Sequence, residues 1–527
     1  MVYKNAKDYT GIEKTNVRKE LPKSLTFNTY RVYLPTKLDL VKFIDEHPLP
    51  KLNNAKCSFR QLDNVKYILG CVYDVLSNNK DLYPVGTLGY ANLCAEYIRK
   101  VVTDYKKILD WAVENELLES DNKYIIGEKC TGYRWHKIWG NKVRAYDLLK
   151  KEIVKQKLRN VCQKTIIKYP ELWQYHQGLE IDMSQVKDVL ASIKDKTIED
   201  IKEDMNNPKH RWIYKGLSDA ELQKEINTQL ITKQNSRFQA AEKFDDKRWC
   251  FKQDDNIERL HTNLTGIKRE LRPLVSYQGT PLVGCDIVNS QPAISNVLFD
   301  NYCWENLNLE RIILHYNTEL RKSKNHKTGF KHTPEILNTI LAGNTTNDII
   351  EFKNASLDGR VYEMMMEKYK AIKGKSITRD DSKKLYLSIL FSPTFYNNKN
   401  QLYKDLKQEF PNVFKMYEWV NTGYEKFKNG TGVKAGQTKG HNARGKDEQS
   451  AALSLILQNI ESKLILDTAI PLILEYEPNV SIFPLHDSIV TTLGNEVKIH
   501  NWMKKAAFQL FGFTPQVSIE YDKWLIN

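Results

Sequence analysis

The spacing of apolar positions changes character twice along the chain, near residue 150 and again near residue 270. In the first stretch Val102, Tyr105, Ile108, Leu109, Ala112 and Val113 share one side of a 3.6-residue period, which predicts a helix over Arg99 to Leu118 with one buried face. Leu118 to Ile126 then reads as two short strands around Asp121-Asn122, a turn pair, followed by Gly127 and Gly132-Tyr133-Arg134-Trp135, so a hairpin is expected next. Helix then hairpin is the order of a winged helix. Residues 1–150 are read as an N-terminal module of that kind, either binding DNA or only packing on its neighbour.

From about 145 to 250 the period is helical and the polar positions are lysine and glutamate, as in Ala145 to Val154 and Ala220 to Ile226. Residues 151–270 are therefore read as a helical region whose charged faces are either solvated or laid along a phosphate backbone. Beyond 270 strands and helices mix, which makes the chain α+β. Two short apolar segments there, Pro281 to Cys285 and Val480 to Leu485, run into carboxylates.

Composition narrows the partners. A chain of 527 residues is too long for one core, and 41% hydrophobic with 27% charged residues is the balance of a folded globular protein. Lysine and arginine exceed aspartate and glutamate 79 to 65, a net charge of +14 that favours a polyanion such as nucleic acid. The eight cysteines form no CxxC pair, so neither a zinc site nor a disulfide framework is expected. No apolar run reaches membrane-spanning length and the first residues lack the apolar core of a signal peptide, so a cytoplasmic protein without a membrane partner is expected.

The carboxylates carry the chemistry. Asp286 stands where a buried strand stops, and alone it reads as a turn or helix cap. Asp487 follows His486 in a tight connection between two short strands, Leu485 to Thr492. Two carboxylates on neighbouring strands suit a pair of Mg²⁺ ions about 3.5–4 Å apart, with Mn²⁺ as a substitute, because such hard cations take oxygen ligands and bridge phosphates. Between them Arg379, Lys383, Leu387 and Phe391 recur every four residues on one helical stripe, an array that offers cations to a triphosphate and a ring to a base.

The pattern Arg379-x3-Lys383-x7-Phe391 resembles the fingers helix of family A DNA polymerases and of single-subunit phage-type RNA polymerases. Asp286 with Gln291 resembles their first palm motif and His486-Asp487 their last. Arg259-Leu260-His261-Thr262 and the helix around Gln458 resemble two further segments, in the same order along the chain. The resemblance implies a right-hand polymerase of palm, fingers and thumb. The palm would span 271–527 with fingers inserted at about 300–430, and 151–270 would take the thumb's place. It implies that Asp286 and Asp487 hold the metals, that Arg379 and Lys383 bind the nucleoside triphosphate with Lys383 also protonating pyrophosphate, and that Leu387 lines the nucleotide. Gln291 and Phe391 would select the sugar, while Arg259, Gln458 and His486 would touch a DNA primer-template.

Gln291 replaces the glutamate usual in the DNA polymerases and is bulky enough to obstruct a 2′-hydroxyl, and Phe391 lacks the tyrosine hydroxyl of the RNA polymerases. Both favour deoxynucleotides; Ser488 after Asp487 is shared with the RNA branch. Glu180-Ile181-Asp182 reads as an acidic helix start rather than part of an exonuclease, so proofreading is not expected. A short polymerase of this kind fits a phage, plasmid or mobile element. An RNA polymerase or primase on the same palm, and a non-catalytic DNA-binding replication initiator, are the alternatives. Lysine-rich runs at Arg321 to Lys327 and Lys434 to Lys446 are either solvated loops or template contacts.

Overall fold

A computed structural model describes residues 28–52, 58–78, 90–122, 130–140, 142–206, 211–316, 335–391, 401–425 and 452–525. Both lysine-rich runs lie outside these residues. No helix among the described residues is long and apolar enough to cross a membrane.

Among the described residues, buried side chains from Tyr30 to Val154 form one hydrophobic core. Strand Tyr30–Pro35 pairs antiparallel with Val143–Leu148, and helix Ser58–Asn78 packs across it. Gly70 lets that helix sit close, since a Cβ there would lie 2.7 Å from the Cβ of Val32. Two helix expectations are corrected here. The helix expected over Arg99 to Leu118 is Tyr105–Glu114, preceded by the separate short helix Ala95–Arg99; just past its end Glu116 turns left-handed, φ 56°, and Leu118 begins a strand. That strand, Leu118–Ser120, takes Gly132–Trp135 as its partner, with Ala91–Asn92 on the far edge. Asp121 closes the pair by accepting the Gly132 N–H at 2.9 Å; the other expected partner, Lys123 to Ile126, lies outside the described residues. Finally, the helix expected from Ala145 is a strand as far as Leu148. Tertiary pairing with Tyr30–Pro35 overrides a local pattern that suits either period.

The next region is mostly helical and ends in the 27-residue helix Asp219–Asp245, whose start is fixed by a capping box between Ser218 and Glu221. It is not purely helical. Asn160–Val161, Cys250–Gln253 and Leu260–Thr262 form a small sheet, and Leu179–Ile181 is an edge strand of the main sheet. Asp182 caps helix Met183–Ser192 by accepting from Ser184 N, as an acidic helix start predicts, whereas Glu180 lies in the edge strand.

A seam of partly buried charge joins this region to the first. Arg31 reaches Asp147, Glu242 and Asp245, Arg248 reaches Asp74, Glu242 and Asp246, and Lys157 bonds Asp246 at 2.7 Å. Burial pushes the Glu242 carboxyl up to about 7 despite both guanidinium groups.

A second, larger core begins at Ile166 and runs to Trp524. Its antiparallel sheet runs in the order Ile482–Leu485, Ser488–Thr492, Thr280–Ile287, Val275–Tyr277, Leu179–Ile181, with Val517–Glu520 also on Thr280–Ile287. Helix Glu496–Phe511 packs on this sheet, and helices between Ser290 and Glu425 are inserted between its strands. Helix Ala452–Ser462 passes into a π-helical stretch, Lys463–Ala469, before Ile470–Tyr476. Pro471 offers no N–H to the turn before it, and the chain widens where that bond is missing.

Candidate active site

Asp286 is delivered by the central strand of the sheet. Leu282, Val283 and Cys285 bury the strand, which is paired on one edge with Ser488–Thr492 and on the other with Val517–Glu520. Asp487 sits in the two-residue connection that pairs Leu485 with Ser488. His486 takes the left-handed conformation there, with φ 58°, and Ser488 Oγ donates to the Leu485 carbonyl at 2.9 Å. Asp286 stands opposite Ser488 and the Ile287 N–H donates to the Asp487 carbonyl at 3.3 Å, so the two aspartates lie side by side on neighbouring chains.

Their proximity has an electrostatic signature. Burial, and then the Asp487 charge, push the Asp286 carboxyl up to about 7, while Lys523 and Lys383 pull against that rise. Arg272, whose guanidinium lies 5.3 Å from the Trp524 ring, also feels both aspartates.

A third carboxylate faces the same place. Glu461, on helix Ala452–Ser462, is 1% exposed and is held by three donors. Arg259 Nη2 pairs with its Oε1, while Gln291 Nε2 at 2.9 Å and Ser290 Oγ at 3.3 Å share its Oε2. Burial and the Asp487 charge push it up to about 8.

Helix Arg379–Phe391 has two distinct faces. Ser382, Tyr386 and Leu390 are buried, and Ser382 Oγ donates to the Tyr362 carbonyl at 2.6 Å. Arg379, Lys383 and Leu387 lie off that face, Lys383 exposed and Leu387 half-buried, and Phe391 is the last residue of the helix. Arg379 donates to Asn289 Oδ1 at 3.0 Å and to Glu363 at 2.7 Å, with its guanidinium 5.3 Å from the Tyr362 ring. Asn289, at φ 52° just past the central strand, also donates to the Gly359 carbonyl, so one amide joins strand end and helix.

The residues expected at a primer-template divide. Arg259 is turned into Glu461 rather than outward. His486 is largely buried beside His261, ring centroids 6.2 Å apart, and burial followed by the Arg259 charge lowers its pKa to about 4. Its Nδ1 is buried without a partner. Gln458 lies one turn before Glu461 and donates to Ser454 Oγ within its own helix at 2.8 Å.

Asp286, Asp487, Gln291, Lys383, Arg259 and His486 thus share one neighbourhood, and Arg379 joins it through Asn289. Sequence reasoning missed Glu461, Lys523, Arg272 and Asn289. Only Asn289 carried a local signal, as an asparagine at a strand end. Oxygen donors that repel each other, with cations beside them, fit a site for divalent ions. Among the described residues no group of three or more His, Cys, Asp or Glu gathers to hold a metal unaided. Two carboxylates suffice where Mg²⁺ keeps waters and substrate phosphates as its other ligands.

No family model matches the chain, and no curated protein matches it. Among solved structures the chain is similar to the polymerase domain of Pol1 from M. smegmatis, described in complex with DNA primer-template and dNTP. The match has 13% identity over 71% of this chain and 72% of that one, with a TM-score of 0.33. A likeness at that level assigns no residue a role.

Proposed function

We propose that the chain is a template-directed DNA polymerase that adds deoxynucleotides to a primer 3′-hydroxyl, of the right-hand type seen in family A. The observation that carries this reading is that Asp286, on the central strand, lies beside Asp487 in the turn that leads into the neighbouring strand, opposite a helix whose Lys383 charge reaches Asp286. Both aspartates would bind Mg²⁺ or Mn²⁺; bound divalent ions would lower the pKa of the primer hydroxyl and neutralise the phosphates.

The remaining work falls to the chain's own side chains. Arg379 and Lys383 neutralise and orient the triphosphate, and Lys383 holds a proton ready for the departing pyrophosphate. Leu387 would line the nucleotide, and Gln291 with Phe391 would select the sugar. Residues 151–270 would act as thumb, 300–430 as fingers and 1–150 as an accessory DNA-binding module. The basic charge suits a duplex held by its backbone.

The test is extension of a labelled DNA primer with Mg²⁺, comparing deoxy- with ribonucleoside triphosphates. Asp286→Asn and Asp487→Asn should each lower extension by roughly a hundredfold or more, as loss of a several-kcal/mol metal contribution requires. Full activity in both variants would refute the reading, and ribonucleotide-only synthesis would move it to the RNA polymerase branch.

A further inference from the structure

Glu461 has no place in the chemistry above, yet it is nearly inaccessible and repelled by Asp487. A charge in such a place is costly, and an apolar side chain would fill the space at lower cost. Its partners show what it does locally. One carboxylate oxygen takes the Arg259 guanidinium; the other takes the Gln291 amide at 2.9 Å and the Ser290 hydroxyl at 3.3 Å. Paired with the Arg259 guanidinium, the ionised carboxylate only accepts, so the amide presents its nitrogen to Glu461 and turns its oxygen away. The Gln291 Oε1 is indeed buried without a partner. Gln291 cannot swing aside without leaving a buried charge short of a donor.

We propose that Glu461 is a positioning residue that locks Gln291 as a barrier beside the sugar of the incoming nucleotide, excluding a 2′-hydroxyl. The assignment rests on the polymerase reading. In it, sugar discrimination comes from two residues 170 apart in sequence, one forming the barrier and the other denying it a second rotamer.

The measurement is the ratio of kcat/KM for deoxy- over ribonucleoside triphosphates in primer extension by the full-length chain. Glu461→Gln keeps shape but removes the charge that fixes the amide, and the ratio should fall roughly ten- to hundredfold, the worth of a hydrogen bond to a charged group. Gln291→Ala leaves the Arg259–Glu461 pair intact and should lower the ratio at least as far. The double variant should then fall no further than Gln291→Ala alone. If Glu461 served packing only, Glu461→Gln would slow both substrates in proportion and leave the ratio unchanged, which would overturn the assignment. Loss of ribonucleotide use in Gln291→Ala would overturn it too, since Oε1 would then be accepting the hydroxyl. A wild type that extends primers with neither substrate would sink the polymerase reading itself, and this assignment with it.

Discussion

Gly284→Ala tests whether the strand that delivers Asp286 depends on close contact with the last helix. A Cβ at Gly284 would lie 2.6 Å from Nε1 of Trp524 and 3.3 Å from its Cδ1, where ordinary carbon contacts need about 3.5–4 Å. Trp524 is 1% exposed and rigid, so about 1 Å must come from moving the indole or the strand. Overpacking of this kind costs about 1–3 kcal/mol. The displacement should also be felt in activity. Asp286 lies two residues beyond Gly284, and Lys523, whose charge offsets the rise in the Asp286 pKa, is the residue before Trp524. Urea denaturation should show the midpoint falling with an unchanged slope, and primer extension should drop along with it. Trp524→Phe shortens the ring at the point of collision, so in the Gly284→Ala background it should cost less than in the wild type. A Gly284→Ala protein within about 0.5 kcal/mol of wild type and equally active would refute the contact.

Three further outcomes follow from the same structure. Arg379→Ala should raise KM for the triphosphate roughly tenfold or more, with Arg379→Lys only partly restoring it because an ammonium cannot reproduce the planar fork; steady-state kinetics decides. Arg248→Ala would leave Asp74, Glu242 and Asp246 short of their shared cation and should cost about 3–5 kcal/mol in urea, whereas removing an exposed partner such as Asp245 should cost under about 1. Burial lowers His176 to about 4 against 6.5 in the unfolded chain. Its contribution is therefore complete above pH 6.5 and is lost as pH falls toward 4, by roughly 3 kcal/mol, and His176→Gln should flatten that loss in urea midpoints taken across the interval.

What could be read from sequence was what is encoded locally. The end of an apolar strand at Asp286, the tight connection at His486-Asp487 and the stripe from Arg379 to Leu387 each depend on residues within one turn or one hairpin. The structure places them as that spacing implies. Glu461 could not be read because its meaning lies in Arg259 and Gln291, 202 and 170 residues away, while in sequence it looks like an ordinary charge on a helix. Lys523 is hidden for the same reason. The segment from Ala145 misled because Val143-Arg144-Ala145-Tyr146-Asp147-Leu148 suits either period, and only the strand at Tyr30–Pro35 decides between them. Arg259 was expected at a primer-template, and nothing in sequence showed that its guanidinium is turned inward to Glu461.

The charged seam at Arg31, Arg248 and Lys157 bears on how the molecule comes apart. The two large hydrophobic cores among the described residues invite stepwise melting, with the smaller dissolving first. Here the boundary is crossed in both directions, by Arg31 to Glu242 and Asp245 and by Arg248 to Asp74, so opening it gives up several charge-assisted contacts at once. Added salt would do little to loosen it, because ions screen poorly where solvent is excluded. Heating should therefore give one calorimetric transition, with the N-terminal core persisting as long as the sheet that bears the aspartates.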